Sequence, residues 1–461
     1  MTMEATFESV SDTRFTPAFL AQSRYARSGR GWLTDLGIAA TLVVAVMAFL
    51  SRGVTRDAEV LVFVTVLACA ARVIRTDPRA WLYFVLLAFA VWMQIIDSFF
   101  HVAPEAADDP MSFLRNFAKM FFFMFPGWWL GGRERNARLL LVAGMIGVFA
   151  RIFLTASVRD WGSLLTGSRA DFGYINAEHT AVLVASVLIG LACFAPWFLR
   201  RDGRSPGLRL VLAAVWLVMV ALSLAVLGAT QTRQVWVGLG IAAIATVPFA
   251  VRELRRRGLL TRRRLVASGG AAAFVLAAFV VFNPLEGPVS RMERDWHGIH
   301  ELLVEGQTPQ QLNGSVIRLL QWRFAFQHIA ERPILGHGGG ATEVLLERSD
   351  LPRFIRLNFG HVHNSFLDLW MAYGVVAPAA LILALVVLLV GVWRGYRRGQ
   401  ISTPMTLFGI AWIVFFAVVN CFESYFIYHT GYYMMFVCGG ALYGATLEPR
   451  AGVQPARETL K

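Results

Sequence analysis

Long apolar runs separated by short basic turns recur along the whole chain, and they constrain the fold more than any other feature. Each run spans about 18 residues or more, which is long enough for an α-helix to cross a bilayer. The 461 residues are 56% hydrophobic and 16% charged, with a mean hydropathy of +0.55. This composition excludes a soluble enzyme, and we predict an all-α polytopic membrane protein.

Window hydropathy predicts about twelve transmembrane helices. They fall near residues 32–50, 58–74, 80–100, 114–131, 138–156, 177–198, 208–228, 234–251, 265–283, 366–393, 403–422 and 429–447. The predicted organisation is therefore a terminal segment 1–31, nine spans in 32–283, a loop 284–365, three spans in 366–447, and a tail 448–461.

The distribution of positive charge predicts the orientation of these spans. The net charge is +13, and nearly all the positive charge is arginine clustered in short turns between apolar runs. That pattern favours membrane orientation over nucleic-acid binding, and the positive-inside rule assigns these turns to the cytoplasm. With an even number of spans, both termini are predicted to be cytoplasmic as well.

Loop 284–365 is the only large segment predicted on the opposite face. Asn313 resembles a helix start, and apolar positions continue to Glu331 before Pro333 stops the helix. A glycine-rich turn follows, and residues 341–347 predict another short helix. Its aromatic content is too high for a disordered linker, so we predict a small helical lid.

The sequence Gly-His-Val-His-Asn-Ser-Phe-Leu at 360–367 marks where this loop re-enters an apolar run. Titratable groups at that depth are costly, so a functional role is the first hypothesis. His363 can accept a proton from a hydroxyl, and Asn364 can orient the ring or a sugar; a polar helix cap is the alternative. His361 adds a His-x-His pair, but the nearest carboxylate in sequence is Asp368, and two imidazoles alone make a weak metal site.

Several arginines lie on the predicted outer face, against the orientation bias. Arg233 lies in the polar island 230–234, and Arg318 and Arg323 lie on the predicted loop helix. Planar guanidinium groups held at a membrane face suit a pyrophosphate ligand, although each alone also fits a solvated side chain. Weaker candidates on the same face are Arg151, Arg159 and Arg169.

Three further polar groups carry weaker signals. Residues 176–179 open the sixth predicted span and fit either a helix cap or a cavity lining. The acidic cluster at 105–109 fits a solvated turn better than a metal site. Glu423 and His429 lie at the last predicted outer turn and could face the same cavity. No Walker or dinucleotide glycine pattern occurs.

One motif resembles a known family. His363-Asn364, followed after nine residues by Gly374, is similar to the His-[Asn/Ser/Gln]-x9-Gly signature of the O-antigen ligase family of bacterial inner-membrane proteins. Ala377 departs from that family, in which a second glycine is common.

Two upstream segments extend the resemblance in the expected order. Arg318, Trp322 and the run Arg-Pro-Ile-Leu-Gly-His-Gly at 332–338 are similar to the family pattern that leads into the histidine. The Thr232-Arg233 step resembles an earlier Ser-Arg step of the family. The specific motifs cover a small part of the chain, whereas the predicted architecture matches over most of it.

The resemblance implies a cofactor-free, metal-independent, inverting glycosyltransferase of the GT-C type at the periplasmic face of the inner membrane. The donor would be O-antigen on undecaprenyl pyrophosphate, and the acceptor a sugar hydroxyl of lipid A–core. His363 would be the general base, and Arg233 and Arg318 would bind the pyrophosphate. The predicted substrate-binding set also includes His337, His361, Asn364 and Arg323.

Three alternatives stay open at this point. An O-antigen polymerase and a protein O-oligosaccharyltransferase belong to the same superfamily and differ chiefly in the acceptor. A transporter or channel is the alternative from another class. It would place broken helices and ionisable groups at the bilayer midplane, whereas here the polar candidates cluster at the predicted outer face.

Overall fold

The computed structural model describes residues 31–69, 119–199, 203–256, 295–302, 312–426 and 428–447, with a few isolated positions between them. Within these ranges the regular structure is helical and contains no β-strand. The prediction of an all-helical protein is confirmed for these residues. In chain order the helices are α1 (Gly31–Met47), α2 (Arg52–Ala68), α3 (Met124–Leu130), α4 (Glu134–Thr155), α5 (Val158–Thr166), α6 (Ala177–Cys193), α7 (Ala195–Leu199), α8 (Pro206–Thr230), α9 (Arg233–Arg256), α10 (Gly314–Glu331), α11 (Ala341–Glu347), α12 (Arg353–Asn358), α13 (Ser365–Tyr373), α14 (Val376–Arg397), α15 (Thr403–Val419), α16 (His429–Met434) and α17 (Gly440–Thr446).

Four of the described helices, α4, α8, α9 and α14, are long and apolar enough to cross a membrane. Shorter apolar helices at Trp32–Met47, Ala177–Cys193 and Thr403–Val419 coincide with three further predicted spans. These helices support the prediction of an integral membrane protein. The predicted spans at 80–100 and 265–283 lie largely or wholly outside the described residues, so the total of about twelve stays a prediction.

The loop helices lie where the sequence predicts them. Asn313 caps α10 by accepting hydrogen bonds from the backbone N–H groups of Ser315 and Val316, and the helix ends at Glu331 before Pro333. The second predicted loop helix is α11. An additional short helix, α12, stands between α11 and the histidine motif.

The tenth predicted span, 366–393, is not one continuous helix, and that prediction is corrected here. It is divided at Gly374 into α13 and α14. Gly374 has φ +68°, and a Cβ built there would lie 1.8 Å from the carbonyl oxygen of Ile334. Hydropathy misses this break because both halves are apolar, whereas close backbone packing against the loop forces it.

The turn after α15 joins the elements that surround the candidate site. The carbonyl of Asn420 accepts the N–H of Ser365 at 2.8 Å, and that of Phe422 accepts Nε of Arg318 at 3.1 Å. The buried Tyr425 hydroxyl donates to the carbonyl of Glu178 at 3.3 Å. The starts of α6 and α13 and the second turn of α10 are therefore fixed to one short segment.

Candidate active site

His363 has a left-handed backbone conformation, which residues other than glycine rarely adopt. Its φ is +51°, in the left-handed region that costs an L-residue about 1 kcal/mol. The surrounding chain is held on both sides. Nε2 of Gln321 donates to the carbonyl of His361 at 3.0 Å, and Nε1 of Trp322 donates to that of Val362 at 3.1 Å. The N–H of Asn364 donates to Oγ of Ser424 at 2.9 Å. A strained residue held this firmly points to a functional constraint.

The imidazole of His363 is oriented by a buried amide. Nδ1 donates to Oε1 of Gln321 at 2.8 Å, because the same amide already uses its N–H to bind the carbonyl of His361. This arrangement places the hydrogen on Nδ1 and leaves the lone pair on Nε2. Burial, with the charges of His361 and Arg318, lowers the pKa of His363 to about 3. The ring is therefore a neutral proton acceptor at physiological pH.

His361 and Glu423 lie beside the base. Nε2 of His361 is 3.1 Å from Oε1 of Glu423, and Nε2 of His363 is 3.9 Å from Oε2 of the same carboxylate. The two imidazole centroids are 4.4 Å apart. Burial lowers the pKa of His361, and the carboxyl groups of Asp368 and Glu178 oppose that shift. Nε2 of His363 thus lies near a buried carboxyl group.

A cavity of about 670 Å³, which we call the arginine cavity, opens on one side of His363. It is lined by three guanidinium groups and by apolar side chains; the arginines are Arg169, Arg233 and Arg318. The side chain of Arg318 is 22% exposed and binds Oε1 of Gln234 at 3.2 Å, whereas that of Arg233 is 55% exposed and pairs with Asp295 at 2.5 Å. Cations above an apolar wall suit an anionic head group attached to a lipid chain.

The carboxyl group of Glu178 lies between two of these arginines. Oε1 of Glu178 is 3.4 Å from Nη2 of Arg318 and 3.8 Å from Nη2 of Arg169. Glu178 follows Asn176, which caps α6 by accepting the N–H groups of Glu178 and His179. The helix-cap interpretation of this segment is correct, and the segment also lines the cavity.

A second cavity of about 520 Å³, the polar cavity, also borders His363. Its lining includes Asp171, Asn176, Asn358, His361, Glu423 and Tyr428. His363, Glu178, Arg169 and Phe359 line both cavities. The histidine therefore lies at the junction of a compartment lined by three arginines and a compartment rich in carboxyl and amide groups.

The structure brings some of the predicted site residues together and separates others. His361, His363, Arg233 and Arg318 line one or both cavities. Asn364 accepts the N–H groups of Phe366 and Leu367 and so caps α13. Arg323 is exposed, and neither it nor His337 lines these two cavities.

His337 has a packing environment of its own. It is buried, and its Nε2 donates to the carbonyl of His328 at 2.8 Å. Burial lowers its pKa. Its backbone N–H donates to the carbonyl of Met371 at 2.7 Å, which ties the glycine-rich turn to α13.

Sequence reasoning missed or undervalued four residues at the junction: Gln321, Glu178, Glu423 and Arg169. Gln321 is three residues after Arg318 on α10, so the two side chains share a helix face. That spacing was available as a signal, but a glutamine in an amphipathic helix is usually solvated. Glu423 comes near the histidines only through the turn after α15, a contact that no local pattern encodes.

Comparison with known proteins supports the same region of the chain. Residues 217–382 match the sequence model of a family described as O-antigen ligase. The match confirms the family resemblance. It includes Arg233, Arg318, Gln321 and His363, and it ends within α14. Glu178 and Glu423 lie outside the matched residues.

A curated relative matches a larger share of the chain than the family model does, but its description names no activity. It is an uncharacterized protein of Haemophilus influenzae, 22% identical over 296 residues, which are 60% of this chain and 70% of the relative. The family match covers residues 217–382 and supports a relation to the O-antigen ligase family over that part of the chain.

Proposed function

We propose that this protein is an O-antigen ligase that transfers a polysaccharide from undecaprenyl pyrophosphate to a sugar hydroxyl of lipid A–core. The observation that carries the proposal is the position of His363, which lines both cavities at once. A transferase of this type must hold an acceptor hydroxyl within reach of a base, and a lipid diphosphate on the opposite side of the anomeric carbon. The family match supports the same superfamily.

The base in this mechanism is Nε2 of His363. The acceptor hydroxyl enters from the polar cavity, and its oxygen attacks the anomeric carbon of the donor sugar while Nε2 takes its proton. Gln321 keeps the hydrogen on Nδ1 and so holds the reactive lone pair in place. No metal participates in this mechanism.

The leaving group in this mechanism is the lipid diphosphate. The bond between the anomeric carbon and the phosphate oxygen breaks as the new glycosidic bond forms, and negative charge grows on the diphosphate. Arg318, supported by Arg169 and Arg233, would stabilise that charge in the arginine cavity. Attack from the opposite face inverts the anomeric centre. The proton ends on His363, which returns it to solvent or to the departing phosphate.

The proposed assignment places the reaction at the periplasmic face of the inner membrane. The orientation follows from the arginine-rich turns on the other side of the spans and remains part of the proposal. The lid 284–365 would then contribute α10 and the histidine motif from outside the bilayer.

The decisive experiment is transfer by the purified full-length protein in detergent. It requires a lipid-linked polysaccharide donor and lipid A–core acceptor. The expected result is acceptor of increased mass in wild type and none in His363→Ala, with both proteins showing the same melting temperature. Near-normal turnover in His363→Ala would refute the proposed mechanism.

An O-antigen polymerase is the second candidate, because the family model matched does not separate the two acceptors. The lipopolysaccharide of a deletion strain distinguishes them. Loss of a ligase leaves bare core and accumulated lipid-linked polymer, whereas loss of a polymerase leaves cores capped with a single repeat.

A further inference from the structure

Three side chains of metal-binding type converge beside the proposed base. The ligand atoms of His361, His363 and Glu423 all lie within 4.8 Å of one another. The two ring Nε2 atoms are 3.1 Å and 3.9 Å from the two oxygens of the Glu423 carboxylate. Zinc binds nitrogen and oxygen at about 2.1 Å, so neighbouring ligands of a tetrahedral ion are about 3.4 Å apart. The two distances from nitrogen to carboxylate oxygen bracket that spacing.

We propose that this triad binds a zinc-class divalent cation, and that the bound cation inhibits transfer by occupying Nε2 of His363. Two imidazoles and one carboxylate, with a fourth position left for water, form a common zinc ligand set. The binding part of the proposal is independent of the enzyme's activity. The inhibition part rests on the proposed function, because it requires His363 to be the base.

The groups behind the ligands support this assignment. Histidines that bind a metal usually donate their other ring N–H to an oxygen, and Nδ1 of His363 does so to Gln321 at 2.8 Å. The carboxylate is held as well, because Oε1 of Glu423 accepts the N–H of Ser424 at 2.9 Å. The ligand side chains are mostly buried, at 12% exposure for each histidine and 3% for Glu423.

Several oxygen-bearing side chains surround the triad. Besides Glu423, the carboxyl groups of Asp368, Glu178 and Glu343 lie close enough to act on His361, as does the guanidinium group of Arg318. The polar cavity provides the route by which a hydrated ion reaches the ligands. A sequence search for metal sites fails here, because the two histidines lack a carboxylate until Glu423 is folded against them.

Occupation of Nε2 removes the proton acceptor. A coordinated nitrogen has no lone pair left for the acceptor hydroxyl, so transfer must stop while the ion is bound. The hydrogen of His363 is on Nδ1, so binding displaces no proton from the ring. Removal of the ion by a chelator therefore restores the base.

Metal binding is tested on the full-length protein in detergent. Zinc affinity is measured by calorimetry, and tetrahedral geometry by the visible absorption of Co²⁺. We expect micromolar zinc binding that weakens at least tenfold in both His361→Asn and Glu423→Gln. His328→Asn is the matched control, because His328, Glu331 and His337 form another described His-and-Glu cluster. Unchanged affinity in both triad variants, or loss in the control alone, would overturn the proposed site.

Inhibition is tested by transfer assays with and without zinc and chelator. We expect at least a tenfold loss of rate in micromolar zinc and full recovery with chelator. Transfer that depends on zinc would overturn the inhibitory role. Zinc binding without transfer under any metal condition would refute the proposed function and leave the metal site supported. If a triad variant melts well below wild type, His363→Asn replaces it in the binding assay.

Discussion

Gln321 and His363 form a hydrogen-bonded pair that joins the loop helix α10 to the membrane re-entry motif, with Nδ1 of the imidazole donating to Oε1 of the amide at 2.8 Å. Gln321 is fully buried, and its amide N–H donates a hydrogen bond to the carbonyl of His361. One side chain thus fixes both the ring's tautomer and the backbone next to it.

Replacement of Gln321 by leucine should lower the rate without weakening donor binding. The imidazole loses its fixed tautomer, and we expect kcat to fall about ten- to a hundredfold, which is about 1.4–2.8 kcal/mol of transition-state stabilisation. Steady-state kinetics should show a nearly unchanged KM for the donor. A rise in KM with unchanged kcat would contradict the tautomer role.

Gln321→Glu should behave differently from the leucine variant. A carboxylate at the same position can still accept Nδ1–H, and its negative charge raises the pKa of His363. We expect partial activity with the acid limb of the pH–rate profile moved to higher pH than in wild type. An unmoved limb would show that residue 321 does not contact the base.

The pH–rate profiles of the wild-type protein should show a different pKa of His363 in the free and in the substrate-bound form. The pKa of His363 is lowered to about 3 by burial, so the free base stays neutral well below pH 6.5. The profile of kcat/KM, which reports free enzyme, should therefore show no acid limb near 6.5 due to His363. A bound diphosphate raises that pKa by its negative charge, so the limb in kcat should lie at higher pH. Acid limbs at the same pH, near 6.5, in the kcat/KM and kcat profiles would contradict this prediction.

The loss of activity in arginine variants should be larger when the replaced arginine is less exposed. Arg318→Ala should raise the donor KM or lower kcat/KM by at least tenfold, because this partly buried guanidinium group bonds to Phe422, Glu178 and Gln234. Arg318→Lys should recover little, since an ammonium cannot reproduce a planar fork. Arg233→Lys should be tolerated better, because that side chain is half exposed.

Arg353→Ala serves as the control for this series, since it is an exposed arginine on the same loop that lines neither cavity. The comparison uses transfer assays at several donor concentrations. Equal losses in Arg318→Ala and Arg353→Ala would mean that the arginine cavity does not bind the donor.

Gly374→Ala should destabilise the fold strongly. The residue combines φ +68° with a carbonyl oxygen 1.8 Å from the position of a Cβ, so backbone must shift to accept a methyl group. Gly399→Ala is the matched control, with φ +71° and open space around it, and should cost about 1 kcal/mol. Thermal unfolding in detergent should show a much larger loss for Gly374. Similar melting temperatures would show that the break between α13 and α14 adapts easily.

Much of the helical architecture was predictable because it follows from hydropathy and capping. Asn313 and Asn176 each predict a helix start that the structure confirms, since a cap is a local interaction. The break at Gly374 was not predictable from hydropathy, because it depends on contact with Ile334 in the loop.

In the candidate site too, some residues could be predicted from the sequence and others could not. His363 and Arg318 are visible in the sequence because each is out of place for its depth or its side of the membrane. Gln321 and Glu423 acquire their roles from contacts between distant segments, and their residue types alone do not distinguish them from ordinary surface polar groups.

The carboxylate of Glu178 between Arg318 and Arg169 has a consequence for turnover. The two guanidinium groups already contact a carboxyl group of the protein, so an arriving donor replaces an existing hydrogen-bonding partner of the arginines. In the proposed reaction, the same side chain can return to the arginines as the lipid diphosphate departs. Such an exchange would weaken binding of the donor in the ground state and speed the release of the diphosphate product.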